Sequence, residues 1–159
     1  MRQAKIEAFY EQAEQLEEDG QLAEAEKYYR KAAEAGYTPA ALSLADMLDD
    51  QDRQDEAEHW YTMAARAGDP VAIINLGGLL SARGQEDDAR KLWEVVANST
   101  DLLAGTACYC LGRSYKEHGH LGDAQHWLAK GAAAGSEEAR VELDALTAAD
   151  MQRLFRRDT

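Results

Sequence analysis

The sequence predicts an all-α fold: a right-handed α-solenoid of stacked antiparallel helix pairs, about four repeats long, closed by a C-terminal capping helix. Three observations predict it. Helix formers dominate: Ala, Leu, Glu, Gln and Arg are abundant, only 2 prolines occur in 159 residues, and strand formers never alternate over a useful length. One pattern recurs four times along the chain. Glycines fall where a helix pair has to turn.

The chain opens on MRQAKIEAFYEQAEQLEEDG, which is charged throughout and has no continuous apolar core, so it reads as a first helix and not as a signal peptide. The recurring pattern follows. EAEKYYRKAAEAGYTPAALSLADML begins at Glu24, EAEHWYTMAARAGDPVAIINLGGLL at Glu56, DARKLWEVVANSTDLLAGTACYCLG at Asp88 and DAQHWLAKGAAAGSEEARVEL at Asp123. The offsets are 32, 32 and 35 residues, and the three extra residues fall inside ANSTDLLAGTACYCLG. Each unit reads as two helices. Ala25, Tyr29 and Ala32 recur as Ala57, Tyr61 and Ala64, then as Ala89, Trp93 and Val96, with Ala124, Leu128 and Gly131 in the fourth copy. The i, i+4, i+7 spacing puts each set on one helical face, the expected core of the second helices.

The joints carry helix punctuation. Gly36, Gly68 and Gly135 suit the left-handed position that ends a helix, and Thr38-Pro39 and Asp69-Pro70 read as an N-cap followed by proline at the first helical position. Gly20, Gly84 and Gly119 mark the turn inside three of the four pairs. The tail SEEARVELDALTAADMQRLFRRDT gives one or two further helices, with Ser136 and Thr147 as candidate caps and Thr147 and Asp150 spaced as a capping box. The expected organisation is therefore a repeat solenoid over 1–147 and a capping helix and tail over 148–159. A single helix pair cannot bury its apolar face, whereas stacked pairs can.

These residues resemble the tetratricopeptide and Sel1-like repeat superfamily, as a hybrid of the two patterns. In LGRSYKEHGHLGDA, the residues Leu111, Gly112, Tyr115, Ala124 and Leu128 match the tetratricopeptide signature in order and spacing. The joints between pairs resemble Sel1-like repeats, on Gly68, Ala72, Leu76 and Gly77, on Gly36, Ala40, Leu44 and Ala45, and on Gly135, Ala139 and Leu143. The joint before the fourth pair departs from that pattern, because Thr100 replaces the glycine. The resemblance implies a protein-binding solenoid that holds a peptide or helix in a concave groove lined by the first helix of each pair. Fold is the stronger part of that implication.

Charge narrows the partners. The net charge is −13, and residues 1–58 alone carry 16 acidic against 6 basic side chains. Such a field disfavours nucleic acid and anionic membrane surfaces and favours basic partners. No apolar run approaches the ~20 residues that span a bilayer. The 2 cysteines make no disulfide framework, so a cytoplasmic protein with reduced thiols is expected.

Several motifs invite chemistry and do not sustain it. CYCLGRSYKEHGH holds Cys108, Cys110, His118 and His120, a zinc-like set. Two cysteines two residues apart on a helix point ~200° apart, and a separation of eight residues spans ~12 Å, whereas zinc ligands lie ~2.0–2.3 Å from one metal. No metal site is expected, and Cys108 reads as a small core residue. The pairs Tyr28-Tyr29, Trp60-Tyr61 and Leu92-Trp93 recur in register and read as packing; His59 and His126 beside them read as surface or boundary residues. NLGGLL lacks the strand and the Lys-Ser/Thr of a phosphate loop, so its glycines read as close-packing positions. Asp49-Asp50 and Asp87-Asp88 read as solvated helix ends. No catalytic constellation and no cofactor signal remain.

The groove is left as the candidate site. The superfamily frame assigns its lining: Tyr10, Glu14 and Glu17 from the first pair, Leu42, Asp46 and Asp49 from the second, Ile74 and Asn75 from the third, and Tyr109, Arg113 and Lys116 from the fourth. A Lys/Asn/Arg carboxylate clamp known in some tetratricopeptide domains finds only Asn75 in place, since Leu42, Asp46, Thr106 and Cys110 occupy its other positions. The expected function is a non-catalytic protein–protein interaction module that binds a basic or partly apolar segment of another protein. The alternative is a self-associating scaffold, a homodimer formed through a solenoid end or through the tail stripe Met151, Leu154 and Phe155, whose i, i+3, i+4 spacing equally suits sealing of the last repeat.

Overall fold

Turns of three residues, with one of six between α6 and α7 and several with a backbone of positive φ, cut the chain into helices that must fold back on one another. In the computed structural model, which describes residues 3–155, these are α1 (Gln3–Glu18), α2 (Leu22–Glu34), α3 (Thr38–Asp50), α4 (Gln54–Arg66), α5 (Pro70–Ala82), α6 (Glu86–Ala97), α7 (Ala104–Glu117), α8 (Leu121–Ala133) and α9 (Glu137–Phe155). No strand occurs among the described residues. The helix pairs stack as an all-α solenoid. The chain falls into two compact units, Met1–Leu79 and Leu80–Thr159, with the boundary inside α5.

The glycine punctuation works as the sequence implies. Gly36, Gly68 and Gly135 have φ of 88°, 89° and 93°. The turn inside the second pair shows how the 32-residue register handles a missing glycine. Asp52 stands where Gly20 and Gly84 stand in the neighbouring copies, and it takes φ 60°; Asp is one of the few side chains that tolerate this region. The Arg53 amide then donates to the Leu48 carbonyl at 2.9 Å, as Gln21 does to Leu16 at 2.8 Å. These bonds satisfy carbonyls that the helix end leaves open.

In the first unit, α1 packs on α2, α2 on α3 and α3 on α4. The core is built from small residues and rings: Ala25, Ala32, Ala57 and Ala64 are fully or almost fully buried and let helices approach, while Tyr29, Tyr61, Leu44 and Leu48 fill the space between them. In the second unit, α6 packs on α7, α7 on α8, and α9 on both α7 and α8. Ala124, Leu128, Ala139 and Leu146 form its buried cluster, with Tyr109, Tyr115, Leu121 and Leu143 packed against them. Glycines also permit close approach here. A Cβ on Gly131 would lie 2.8 Å from Ala139 Cβ and 3.1 Å from Cys108 Cβ, and one on Gly112 would meet Leu128 Cγ at 2.5 Å.

Three local expectations are corrected. Thr38 is the first residue of α3 and not its cap; Tyr37 holds the cap position without a side-chain bond. Thr147 starts no helix, because α9 runs through it and its hydroxyl donates to the Leu143 carbonyl one turn back at 2.9 Å. Gly78 of NLGGLL is exposed, and a Cβ there would meet nothing within 4 Å, so it serves no close packing. Thr100 stands in register where the other joints have glycine but takes no positive φ; α6 ends at Ala97 with Asn98 as its cap, whose side-chain amide donates to the Glu94 carbonyl at 2.9 Å. The other caps stand, with Asp69 accepting from the Ala72 amide at 2.9 Å and Ser136 from the Ala139 amide at 3.2 Å.

Candidate functional site

In the first unit the 32-residue step places Tyr10, Leu42 and Ile74 in one register on α1, α3 and α5, and all three are half-buried. Val71, one turn before Ile74, is 38% exposed. α1 meets α2 and the start of the second pair through its tyrosine: the Tyr10 ring lies 5.3 Å from that of Tyr37, just before α3, and 5.7 Å from that of Tyr29 on α2, and its hydroxyl faces Ser43 of α3 and Glu14 of its own helix. Burial, the largest cause, raises the Tyr10 pKa.

The next register down the helices carries acid. Glu14 and Asp46 are equivalent positions, followed one turn later by Glu17 and Asp49. The buried tyrosines of the second helices sort them. Tyr29 donates its hydroxyl to Glu17 Oε2 at 2.6 Å, and Tyr61 donates to Asp46 Oδ1 at 2.6 Å. Asn75 on α5 also donates to Asp46 Oδ1, at 3.0 Å, so the one residue that fits the carboxylate clamp is already engaged. Burial pushes the Tyr29 and Tyr61 pKa values far up, and the acceptor carboxylates add to it. Asp46 is raised above the usual carboxylate value by burial, against the pull of the two bonds it accepts. Glu14, which is exposed, and Asp49, which is half-buried, receive no bond from either core tyrosine. Gly78 takes the equivalent place on α5, so the acid stops after two helices.

The sequence register finds the rings but not the role of their hydroxyls. Trp60, Tyr61 and Trp93 are at most 5% exposed, which matches the packing expectation. The available signal was a tyrosine on a second helix with a carboxylate 12 or 15 residues before it, on the first helix of the same pair.

In the second unit a tryptophan, Trp93, stands at the tyrosine's position. The polar connection is rebuilt from other residues. Glu86 accepts from Ser81 and from Ser114, each at 2.8 Å, and Arg90 Nε donates to the Ser114 hydroxyl at 2.9 Å while its guanidinium lies 4.6 Å from the Tyr115 ring centroid. The basic residues expected to line this part of the groove are paired within the chain. Arg113 binds Glu117 at 3.1 Å and lies 5.8 Å from the Tyr109 ring, and Lys116 binds Glu142 of α9.

The remaining candidates are dispersed. Cys108 is fully buried and Cys110 half-buried; burial raises both thiols, and both are free. His118 and His120 are exposed at the end of α7, and His59 and His126 are exposed as well. Among the described residues no group of three or more His, Cys, Asp or Glu is placed to hold a metal, and no helix is long and apolar enough to cross a membrane. An open depression of about 570 Å3 lies along α4, lined by Asp55, Glu58, His59, Thr62, Met63 and Arg66, none of which belongs to the face of Tyr10, Leu42 and Ile74. The backbone of Met151, Leu154 and Phe155 belongs to α9, but their side chains lie outside the described residues.

The sequence matches no protein-family model and no curated protein at a significant level. The fold does have solved counterparts. MamA is similar with a TM-score of 0.70 and 16% identity over 85% of this chain and 81% of its own. BtubC (BKLC) from P. vanneervenii is similar with a TM-score of 0.65 and 20% identity over 81% of this chain, which spans 62% of BtubC. The match to MamA, a tetratricopeptide-like helical repeat protein, fits a tetratricopeptide-type repeat fold.

Proposed function

We propose that the chain is a non-catalytic protein-interaction module, and that the face of α1, α3 and the start of α5 in the first unit holds a basic, partly apolar segment of another protein. One observation carries this reading. Partly exposed apolar surface (Tyr10, Leu42, Val71, Ile74) shares a helix layer with carboxylates that the buried tyrosines of the second helices do not bond, Glu14, which the Tyr10 hydroxyl faces, and Asp49. Glu17 and Asp46 serve the fold first, as acceptors for Tyr29 and Tyr61. A net charge of −13 would steer a basic partner and raise its association rate more than its final affinity. The repeat itself we read as a hybrid, tetratricopeptide-like at the turn within each pair and Sel1-like at the joints.

The test is capture of partners from a lysate of the source cells by wild type and by a Glu14→Lys/Asp49→Lys variant. A protein retained by wild type and lost by the variant supports the reading. The same protein held equally by both removes it. Asp46 is left untouched, because reversing its charge would strip Tyr61 and Asn75 of their acceptor and confuse lost binding with lost fold.

A further inference from the structure

We propose that α5 is a hinge, which opens locally at Gly77-Gly78 and lets the two compact units turn as separate bodies. The division into Met1–Leu79 and Leu80–Thr159 falls inside this helix, just past the two glycines. An unbroken helix is a stiff connection, so freedom between the units has to come from a weak point within it. The face of Tyr10, Leu42 and Ile74 lies wholly before the glycines and stays within one unit, whatever binds there.

Residues 71–78, VAIINLGG, are mostly poor helix formers. Val71, Ile73 and Ile74 are β-branched, Asn75 competes for backbone bonds, and Gly77 and Gly78 weaken a helix interior more than any residue but proline. Gly78 has no packing reason to be glycine. It is exposed, and a Cβ there would meet nothing within 4 Å. Gly112 on α7 shows the contrast, because a Cβ there would meet Leu128 Cγ at 2.5 Å. In the other copies the register position of Gly78 holds Glu14, Asp46 and Arg113. Of the four first helices, α5 gives up a side chain at this place and gains no close approach from it.

The ends of α5 are closed, which places the weakness in its interior. Asp69 accepts from the Ala72 amide at 2.9 Å, and the Gln85 amide donates to the Leu80 carbonyl at 2.9 Å. Packing along α5 is also less complete than along its counterparts. Ile73, Leu76 and Leu80 are 8%, 7% and 9% exposed, whereas Ala41, Leu44 and Leu48, their equivalents on α3, are 0% exposed, as are Cys108 and Leu111 on α7. A helix with weaker burial and poor intrinsic formers opens at a lower free energy than its neighbours. Glycine pairs are among the few places where helices bend sharply.

Two measurements on the full chain test the hinge. In amide hydrogen exchange, residues 75–82 should be less protected than the interiors of α3 and α7, and Gly78→Ala should slow their exchange about two- to fivefold, the equivalent of replacing glycine by alanine in a helix interior. Double electron–electron resonance reads the motion between the units, with spin labels on Glu34→Cys of α2 and Ala129→Cys of α8, both exposed positions, in a Cys110→Ala background that leaves only the fully buried Cys108. The distance distribution should hold a second, displaced component, and Gly78→Ala should reduce that component about two- to fivefold. Gly122→Ala is the control: it adds a methyl at another open helical glycine, within one unit, and should leave the distribution unchanged. A single narrow distribution in the parent chain, protection of 75–82 equal to that of α3, or the same response to Gly122→Ala as to Gly78→Ala would each overturn the hinge.

Discussion

Tyr61→Phe removes one oxygen from the interior of the first unit and leaves the ring in place. The ring is 2% exposed, so no cavity larger than a hydroxyl opens. What changes is Asp46, which loses the donor at 2.6 Å and keeps only Asn75 Nδ2 at 3.0 Å. A hydrogen bond to a charged group contributes about 1.5–3 kcal/mol. Asp46 is half-buried, and water can replace part of the lost donor, so the cost should fall at the lower end, about 1–2 kcal/mol. Tyr29→Phe is the internal control. Its ring is equally buried, but its acceptor Glu17 is exposed and rehydrates at once, so it should cost less than about 1 kcal/mol.

Urea denaturation followed by circular dichroism measures both. Tyr61→Phe should lower the midpoint by about half a molar at an unchanged m-value. The effect should shrink in acid, once Asp46 is protonated and accepts only as a neutral group. A Tyr61→Phe midpoint equal to wild type at neutral pH, or a larger loss in Tyr29→Phe, would refute the argument that partial burial of the acceptor sets the cost.

Three further outcomes follow from particular contacts. Asp46→Asn should match or exceed wild-type stability at neutral pH. Because burial raises the folded-state pKa of Asp46, the native state binds its proton more tightly than the unfolded chain does, so this carboxyl's contribution is fullest in acid and is lost as pH rises through the raised value; the substitution should flatten that part of the pH–stability curve in a titrated melting series. Arg53 joins α2 to α4, gripping Glu26 at 2.7 and 3.1 Å and Glu56 at 2.8 and 2.8 Å, so Arg53→Met should cost about 1 kcal/mol at low salt and less at high salt. Arg53 holds the Glu26 carboxyl below its usual value, a contribution present above the unfolded pKa and lost as pH falls through the depressed one, so the variant should also lose that step of its acid transition. On α8, Gly131→Ala should destabilise by about 1–2 kcal/mol, since the new Cβ meets Ala139 and Cys108 at 2.8 and 3.1 Å, whereas Gly122→Ala, with nothing within 4 Å, should gain about 0.5–1 kcal/mol; melting temperatures that move together would sink the distinction.

The repeat made the fold legible because both of its signals are local. An i, i+4, i+7 set such as Ala57, Tyr61 and Ala64 fixes a helical face whatever surrounds it, and a glycine at Gly68 permits a backbone that other residues resist. Asp52 escaped for the complementary reason: it adopts the same backbone without being the residue that advertises it. Thr147 misled because serine and threonine caps are recognised by sequence, whereas its hydroxyl turned back into its own helix. The face of Tyr10, Leu42 and Ile74 could be placed by register, but which of its acids the fold consumes depends on contacts between helices. Arg113 and Lys116 show the same limit, each being paired with a carboxylate that sequence spacing alone does not select.

Substitutions between copies accompany that division of the acids. Asn75 and Ser43 occupy the same register position on α5 and α3. The Asn75 amide is long enough to donate to Asp46, and together with Tyr61 it saturates one carboxylate oxygen. Ser43 is shorter and faces Tyr10, whose hydroxyl also faces Glu14, while Tyr29 bonds Glu17. The following repeat thus supplies one of the two donors on Asp46. Asn75→Ser tests this. Removing a donor that favours the ionised form should raise the Asp46 titration further above its usual position, in carboxyl-carbon NMR. A downward or absent shift at Asp46 would mean that Asn75 does not favour the ionised form of that carboxylate.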